Sequence, residues 1–242
     1  MAAKPQPSGP PPAPAVQRLS LQYTKDGVLR YCSARDLGRV VERALRRIDA
    51  PVAQSAGFHP HPRISYLSAA PTGAGSKAEY LELRLTKCCL PKELVASLNQ
   101  VLPSGLTVVR AAVDQVDLAQ RLTASRWQLR WSSAAGLAQA VDQFNALATC
   151  SVRRPGRGAN PSRTREVRAV VTCLTVADRT ADLILLHRIP AVRPDDVTYA
   201  LSGLSSPALL EPIEITRIDQ GFWDGSGVAD PLIMPVDVAA VD

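Results

Sequence analysis

Two successive runs of segments in the order β-α-β-β-α-β predict an α+β protein of two tandem ferredoxin-like (split βαβ) halves with antiparallel sheets. Three observations carry this reading. Short segments alternate apolar and polar residues at strand spacing, longer ones repeat apolar residues at i, i+3, i+4 and i+7, and proline or glycine punctuates the joints. The chain has 242 residues, which suits two domains of roughly 100 residues each.

Residues 1–15 are rich in proline and poor in apolar surface, so they are expected to form a disordered arm. The first half is read over 16–118. Leu19, Leu21 and Tyr23 alternate as a strand does, Lys25-Asp26-Gly27 supplies a turn, and a second extended piece is expected at Val28–Tyr31. Leu37, Val40, Val41, Ala44, Leu45 and Ile48 then mark the clearest helix, opened by a capping box from Ser33 to Asp36. Strands are expected at Arg63–Leu67 and Ala78–Leu85. A helix opens at Pro91, with Leu94, Val95, Leu98 and Val101 on one face, and Leu106–Val109 closes the half. The second half is read over 119–224. It comprises a strand at Arg126–Trp131, a helix capped by Ser133, strands at Val167–Leu174 and Ala181–Leu186, a helix from Pro194, and a closing strand at Ile213–Ile218. Residues 225–242 have no periodicity and are expected to be loose.

Hydrophobic residues make up 46% of the chain and the formal net charge is +6, drawn from 28 basic and 22 acidic residues. Arginine supplies 23 of those cations and lysine 5. Arginine suits bidentate contacts to phosphate, although a GC-rich genome produces the same bias. No stretch approaches the roughly 18 apolar residues of a membrane helix, and the start of the chain lacks a secretory core, so a cytoplasmic protein without membrane contact is expected. The five cysteines include one vicinal pair, Cys88-Cys89, and match neither zinc nor iron–sulfur spacings. No metal and no cofactor is expected. Spacing alone pairs no nucleophile with a base, so the catalytic residues, if any, stay unassigned.

Two segments offer binding chemistry. In Gly57-Phe58-His59-Pro60-His61-Pro62-Arg63, two prolines stiffen the backbone while Gly57 permits a sharp bend. Phe58 and His61 then present stacking faces and Arg63 a cation, the combination that binds unpaired bases. The plain alternative is a rigid connection with Phe58 in the core. In Ser151–Arg168, Arg153, Arg154, Arg157, Arg163, Arg165 and Arg168 face the lone acid Glu166. Pro155, Gly156, Gly158 and Pro161 make the first part a mobile loop suited to a phosphate backbone, or merely a solvated one. The polar face of the first helix adds Arg43, Arg46 and Arg47.

Several of these residues together resemble the bacterial radical SAM-linked proteins. They are Leu29-Arg30-Tyr31-Cys32-Ser33-Ala34-Arg35-Asp36-Leu37, the arginine-rich helix through Arg47, Ser55-Ala56-Gly57-Phe58-His59-Pro60-His61-Pro62-Arg63-Ile64-Ser65 and Ala78-Glu79-Tyr80-Leu81. Thr216-Arg217-Ile218-Asp219-Gln220-Gly221 is similar to that family's closing motif. The resemblance spans about residues 17–224. The family's domain has no assigned biochemical function and is fused to, or encoded beside, cobalamin-type radical SAM enzymes. Where the family carries S-H-x-D, this chain has Ser33-Ala34-Arg35-Asp36, and His59 stands where asparagine is more usual. The resemblance implies partnership with a separate radical SAM enzyme acting on RNA, and adds Gln220 to the binding residues.

The leading expectation is therefore a non-catalytic accessory that binds tRNA or rRNA. Gly57, Phe58, His59, His61 and Arg63 would lie at the bases, and Arg43, Arg46, Arg47, Arg153, Arg154 and Arg165 on phosphates. One rival is an enzyme for a small anionic substrate, with Asp36 and Glu79 as acid or base groups. The other is a protein–protein scaffold.

Overall fold

The computed structural model describes residues 12–113, 117–154, 163–205, 209 and 211–233. Most of the proline-rich arm lies outside the described residues, as do Pro155, Gly156, Arg157, Gly158 and Pro161. The protein is a mixed α/β structure whose strands pair mostly antiparallel. It divides into two compact units, Met1–Thr72 with Glu79–Ala119 and Gly73–Ala78 with Gln120–Asp242.

The first unit contains β1 (Gln17–Lys25), α1 (Ala34–Arg47), β2 (Ile64–Leu67), most of β3 (Gly75–Leu85), α2 (Pro91–Val101) and β4 (Leu106–Val113). Its strands lie in the order β4-β1-β3-β2. The inward residues Leu19, Leu21, Leu81, Leu83 and Leu85 meet Leu37, Val41 and Leu45 of α1 and Leu94 and Leu98 of α2 in one core. Burial of these side chains stabilises each by about 1.5–3 kcal/mol relative to exposure. At the start of α1, Ser33 Oγ accepts from the Asp36 N–H at 3.2 Å and donates to its carboxylate at 2.7 Å.

The segment Gly27–Tyr31 is a short 3-10 helix and not the extended piece expected there. The Asp26 carboxylate accepts the Gly27 N–H at 2.7 Å, and Gly27 sits at φ +53°. The chain coils so that the N–H of Leu29 reaches the Asp26 carbonyl and that of Cys32 the Leu29 carbonyl. Val28, Leu29 and Tyr31 do not alternate at strand spacing, and the Asp26 cap starts a coil instead.

The second unit contains β5 (Ala124–Arg130), α3 (Leu137–Ala146), β6 (Ser151–Arg154), β7 (Arg163–Glu166), β8 (Val171–Ala177), β9 (Thr180–Leu186), α4 (Pro194–Leu204), β10 (Glu214–Trp223) and β11 (Val228–Ala229). The strands follow the order β10-β5-β9-β8, with the opening residues of β3 parallel to β10 on its other side. The buried stripe Leu137, Ala140, Val141 and Phe144 of α3 packs toward α4 and β8.

Three boundaries differ from expectation. Ser133 Oγ takes the Ala135 N–H within a turn, and α3 begins later, behind Gly136 at φ +76°. The strand expected over Val167–Leu174 is interrupted by a 3-10 turn at Arg168–Val170. The Glu166 carboxylate accepts from the Cys150 N–H, the Ser151 hydroxyl and the Arg168 N–H, which bends the chain there. Val228–Ala229, within the tail expected to be loose, pairs with Phe222 and Trp223. This pairing needs glycine at 221, since a Cβ there would lie 1.9 Å from the Ala229 carbonyl oxygen.

Candidate functional site

The loop between α1 and β2 is built as a pinned hairpin. Ala53 N–H reaches the Arg84 carbonyl at 2.7 Å, and Arg63 N–H returns to the Ala53 carbonyl at 2.8 Å. Closer to the tip, Ser55 N–H donates to the His61 carbonyl at 2.8 Å and His61 N–H to the Ser55 hydroxyl at 3.0 Å. With its neck tied by four bonds and Pro60 and Pro62 fixing two φ angles, the loop presents its tip at little entropic cost. Gly57 supplies the bend at φ +127°, a conformation that side chains with a Cβ rarely adopt.

Phe58 stands at the tip with 62% of its surface exposed, and His59, His61 and Arg63 are exposed around it. The core location allowed for Phe58 as an alternative is therefore not the one it adopts. The Arg63 side chain carries no hydrogen bond or ion pair to any described residue.

The C-terminal half of α1 faces this loop. Glu42, Leu45, Arg46, Ala50, Val52, Gln54, Pro60, Pro62 and Ile64 line one open groove of about 150 Å³. Tyr66 anchors β2 to α1 through its hydroxyl, which donates to the Gly38 carbonyl at 3.1 Å. Burial, and then the nearby Glu42 carboxylate, push the Tyr66 phenol far above its ordinary value, so it remains a neutral donor. Arg39 pairs with Asp36 at 3.7 Å, whereas Arg43, Arg46 and Arg47 make no ion pair with any described residue. Their guanidinium groups are available to an external anion.

In the basic segment of the second unit, the loop expected around residues 155–161 lies outside the described residues. The flanking parts of the segment pair as the ribbon β6–β7, with Val152 opposite Arg165 and Arg153 opposite Thr164. Strand alternation therefore puts Arg153 and Arg165 on opposite faces of the ribbon, with Arg153 exposed and Arg165 half-buried beside the buried Val152. The side chain of Arg154 lies outside the described residues. Arg168 is folded back, its guanidinium donating to the Val171 carbonyl at 3.0 Å and lying 5.9 Å from the Phe144 ring. Among the described side chains, Arg153, Arg165 and Arg168 do not share one face.

Gln220 is 1% exposed and belongs to a buried polar cluster. This position corrects its assignment to the binding surface. β10 shifts register between Arg217 and Asp219, so residues three apart share a face. Arg217 stacks 4.6 Å from the Trp127 ring and donates to the Gln220 side-chain oxygen. Trp127 Nε1 donates to Ser125 Oγ at 2.8 Å, and Ser125 Oγ lies 3.0 Å from His187 Nε2.

His187 Nδ1 lies 2.7 Å from the Leu122 carbonyl. A carbonyl only accepts, so Nδ1 carries the proton and Nε2 accepts from the serine hydroxyl. Burial lowers the His187 pKa, against the Leu122 hydrogen bond and with help from the Arg217 charge. A serine–histidine pair of this geometry suits nucleophilic chemistry, but Ser125 is 2% exposed and its oxygen already serves Trp127. The pair is a satisfied interior network. Sequence spacing missed it because the partners are far apart in the chain, on β5 and β10 and, for His187 and Leu122, just after β9 and just before β5.

The acid and base candidates of the enzyme reading are also committed to local structure. Asp36 caps α1, and Glu79, 1% exposed, accepts from the Ala70 N–H at 3.0 Å. Among the described residues no group of three or more His, Cys, Asp or Glu could hold a metal ion, and no helix is long and apolar enough to cross a membrane.

A family model for uncharacterized proteins conserved in bacteria (DUF2344) matches residues 18–194. No curated protein matches the chain.

Proposed function

We infer a function from the premise that the chain belongs to the DUF2344 family of uncharacterized conserved bacterial proteins. The proposal is a non-catalytic, RNA-binding accessory that presents tRNA or rRNA to a separate radical SAM enzyme in the cytoplasm. One observation carries it. Pro60 and Pro62, from the loop that exposes Phe58, His59, His61 and Arg63, line the same groove as Arg46 of α1, the helix that also carries Arg43 and Arg47. Aromatic and imidazole faces stack on unpaired bases, and unpaired guanidinium groups beside them hold the phosphates that connect those bases.

Within this reading, Arg153, Arg154 and Arg165 are further phosphate contacts. Each unit is read as a ferredoxin-like sandwich, supported by the matching strand orders β4-β1-β3-β2 and β10-β5-β9-β8. The radical SAM partnership rests on the sequence resemblance of the first half, including Ser55–Ser65.

The salt dependence of RNA binding tests the proposal. Each phosphate contact contributes about 0.7 to 0.9 to the slope of log K against log salt. Replacing Arg43, Arg46 and Arg47 together by alanine should reduce that slope by about two to three units. An unchanged slope removes the phosphate role from α1. Recovery of a radical SAM enzyme in a pull-down, abolished by nuclease, supports RNA-bridged partnership. Recovery that survives nuclease supports the scaffold reading instead.

A further inference from the structure

The groove between α1 and the pinned loop has a chemistry more specific than phosphate attraction. Leu45, Ala50, Val52, Pro60, Pro62 and Ile64 give it an apolar lining, beside the polar side chains of Gln54 and Arg46. One carboxylate, Glu42, joins that lining. Glu42 is half-buried, and among the described residues it carries no hydrogen bond or ion pair, although Arg46 follows it by one helical turn. A carboxylate accepts hydrogen bonds, and its two oxygens take a pair of donors side by side.

The arginines beside the groove bear on what can bring those donors. Arg43, Arg46 and Arg47 repel a cationic peptide, so the donor group must be uncharged and attached to an anion. A nucleotide combines a flat ring, neutral N–H donors and a phosphate. Among the bases, guanine alone offers two adjacent donors, N1–H and the N2 amino group. Adenine and cytosine present one amino group beside a ring-nitrogen acceptor, and uracil one N–H between two carbonyls. Each of those three would set a lone pair against a carboxylate oxygen.

We propose that the groove is a guanine subsite, in which Glu42 accepts from guanine N1–H and N2–H while Pro60, Pro62 and Ile64 pack against the ring and Arg46 holds the adjoining phosphate. This rests on the RNA-binding reading above and names which base it selects.

The test is fluorescence anisotropy of the full chain with the single-stranded RNA pentanucleotides UUGUU, UUAUU and UUIUU, where I is inosine, alongside GMP as competitor. Wild type should bind UUGUU about tenfold tighter than UUAUU, the discrimination a good bidentate pair gives. UUIUU, lacking the N2 amino group, should fall between them. Glu42→Gln places a donor beside an acceptor and should bind UUAUU at least as tightly as UUGUU. Glu42→Ala should bind the two within about twofold, with its melting midpoint confirming the fold.

Equal binding of all three oligonucleotides by wild type, still weakened by loss of Arg43, Arg46 and Arg47, would overturn the guanine subsite and leave RNA binding standing. Retention of the guanine preference in Glu42→Gln would overturn it as well. No binding of any oligonucleotide would overturn both readings. Competition by GMP at the oligonucleotide's own affinity would support the subsite and identify free nucleotides as the source of the guanine.

Discussion

Phe58→Ala separates recognition from folding. The ring is 62% exposed, so roughly a third of its surface is covered in the folded chain. Full burial of such a side chain is worth about 1.5–3 kcal/mol, and truncation here should cost about 0.5–1 kcal/mol of stability. That corresponds to a fall of at most about 4–8 °C in the melting midpoint of a unit this size. Loss of one base–aromatic stack costs about 1–3 kcal/mol of binding, or about five- to 150-fold in affinity for single-stranded RNA. Thermal melting by circular dichroism and anisotropy with a U-rich oligonucleotide read the two quantities on the same preparation. A change in affinity below about twofold would refute the stacking role, and a collapse of the fold would refute the exposed placement of the ring.

Other outcomes follow from the same structure. Gly221→Ala forces a Cβ against the Ala229 carbonyl oxygen and should destabilise the second unit by about 1–3 kcal/mol in urea, with lost protection of the β10–β11 amides in hydrogen exchange. His187 is held neutral in the fold by burial, so its pKa is lower there than in the unfolded chain. Its contribution is complete above the unfolded value of about 6.5 and is lost as pH falls below it, because the unfolded chain takes up the proton first. The urea midpoint should drop between pH 7 and pH 5.5 more in wild type than in His187→Gln. Cys88 is exposed, whereas burial and then the Glu166 charge raise the Cys150 thiol, so mass spectrometry after brief iodoacetamide treatment should find Cys88 modified before Cys150.

Periodicity made the regular elements of this chain legible. Leu37, Val41, Ala44 and Leu45 identify α1 because a helix that buries one stripe must repeat it, and Pro91 and Pro194 mark helix starts because a missing N–H costs nothing there. The same logic exposed the Gly57–Arg63 loop, since prolines at alternate positions are a local signal. What sequence left hidden depends on partners far along the chain. The ribbon β6–β7 forms where charge density suggested only a loop, because Glu166 satisfies three donors at its base. Gln220 looked available as part of a motif, yet the β10 register shift turns it inward with Arg217. Glu42 gave no signal at all, being one acid on an arginine-rich face. Only the return of Pro60 and Pro62 beside it makes it part of a groove.

RNA binding of the proposed kind requires nucleic acid to lie along α1 and the tip of its adjoining loop. Ultraviolet crosslinking of the full chain to cellular RNA, followed by mass spectrometry of the crosslinked peptides, reads this directly. Adducts concentrated on Phe58–Arg63 and on the peptides carrying Arg43, Arg46 and Arg47 are the predicted result. Adducts confined to peptides of the second unit, or none above a control protein of equal charge, would contradict it.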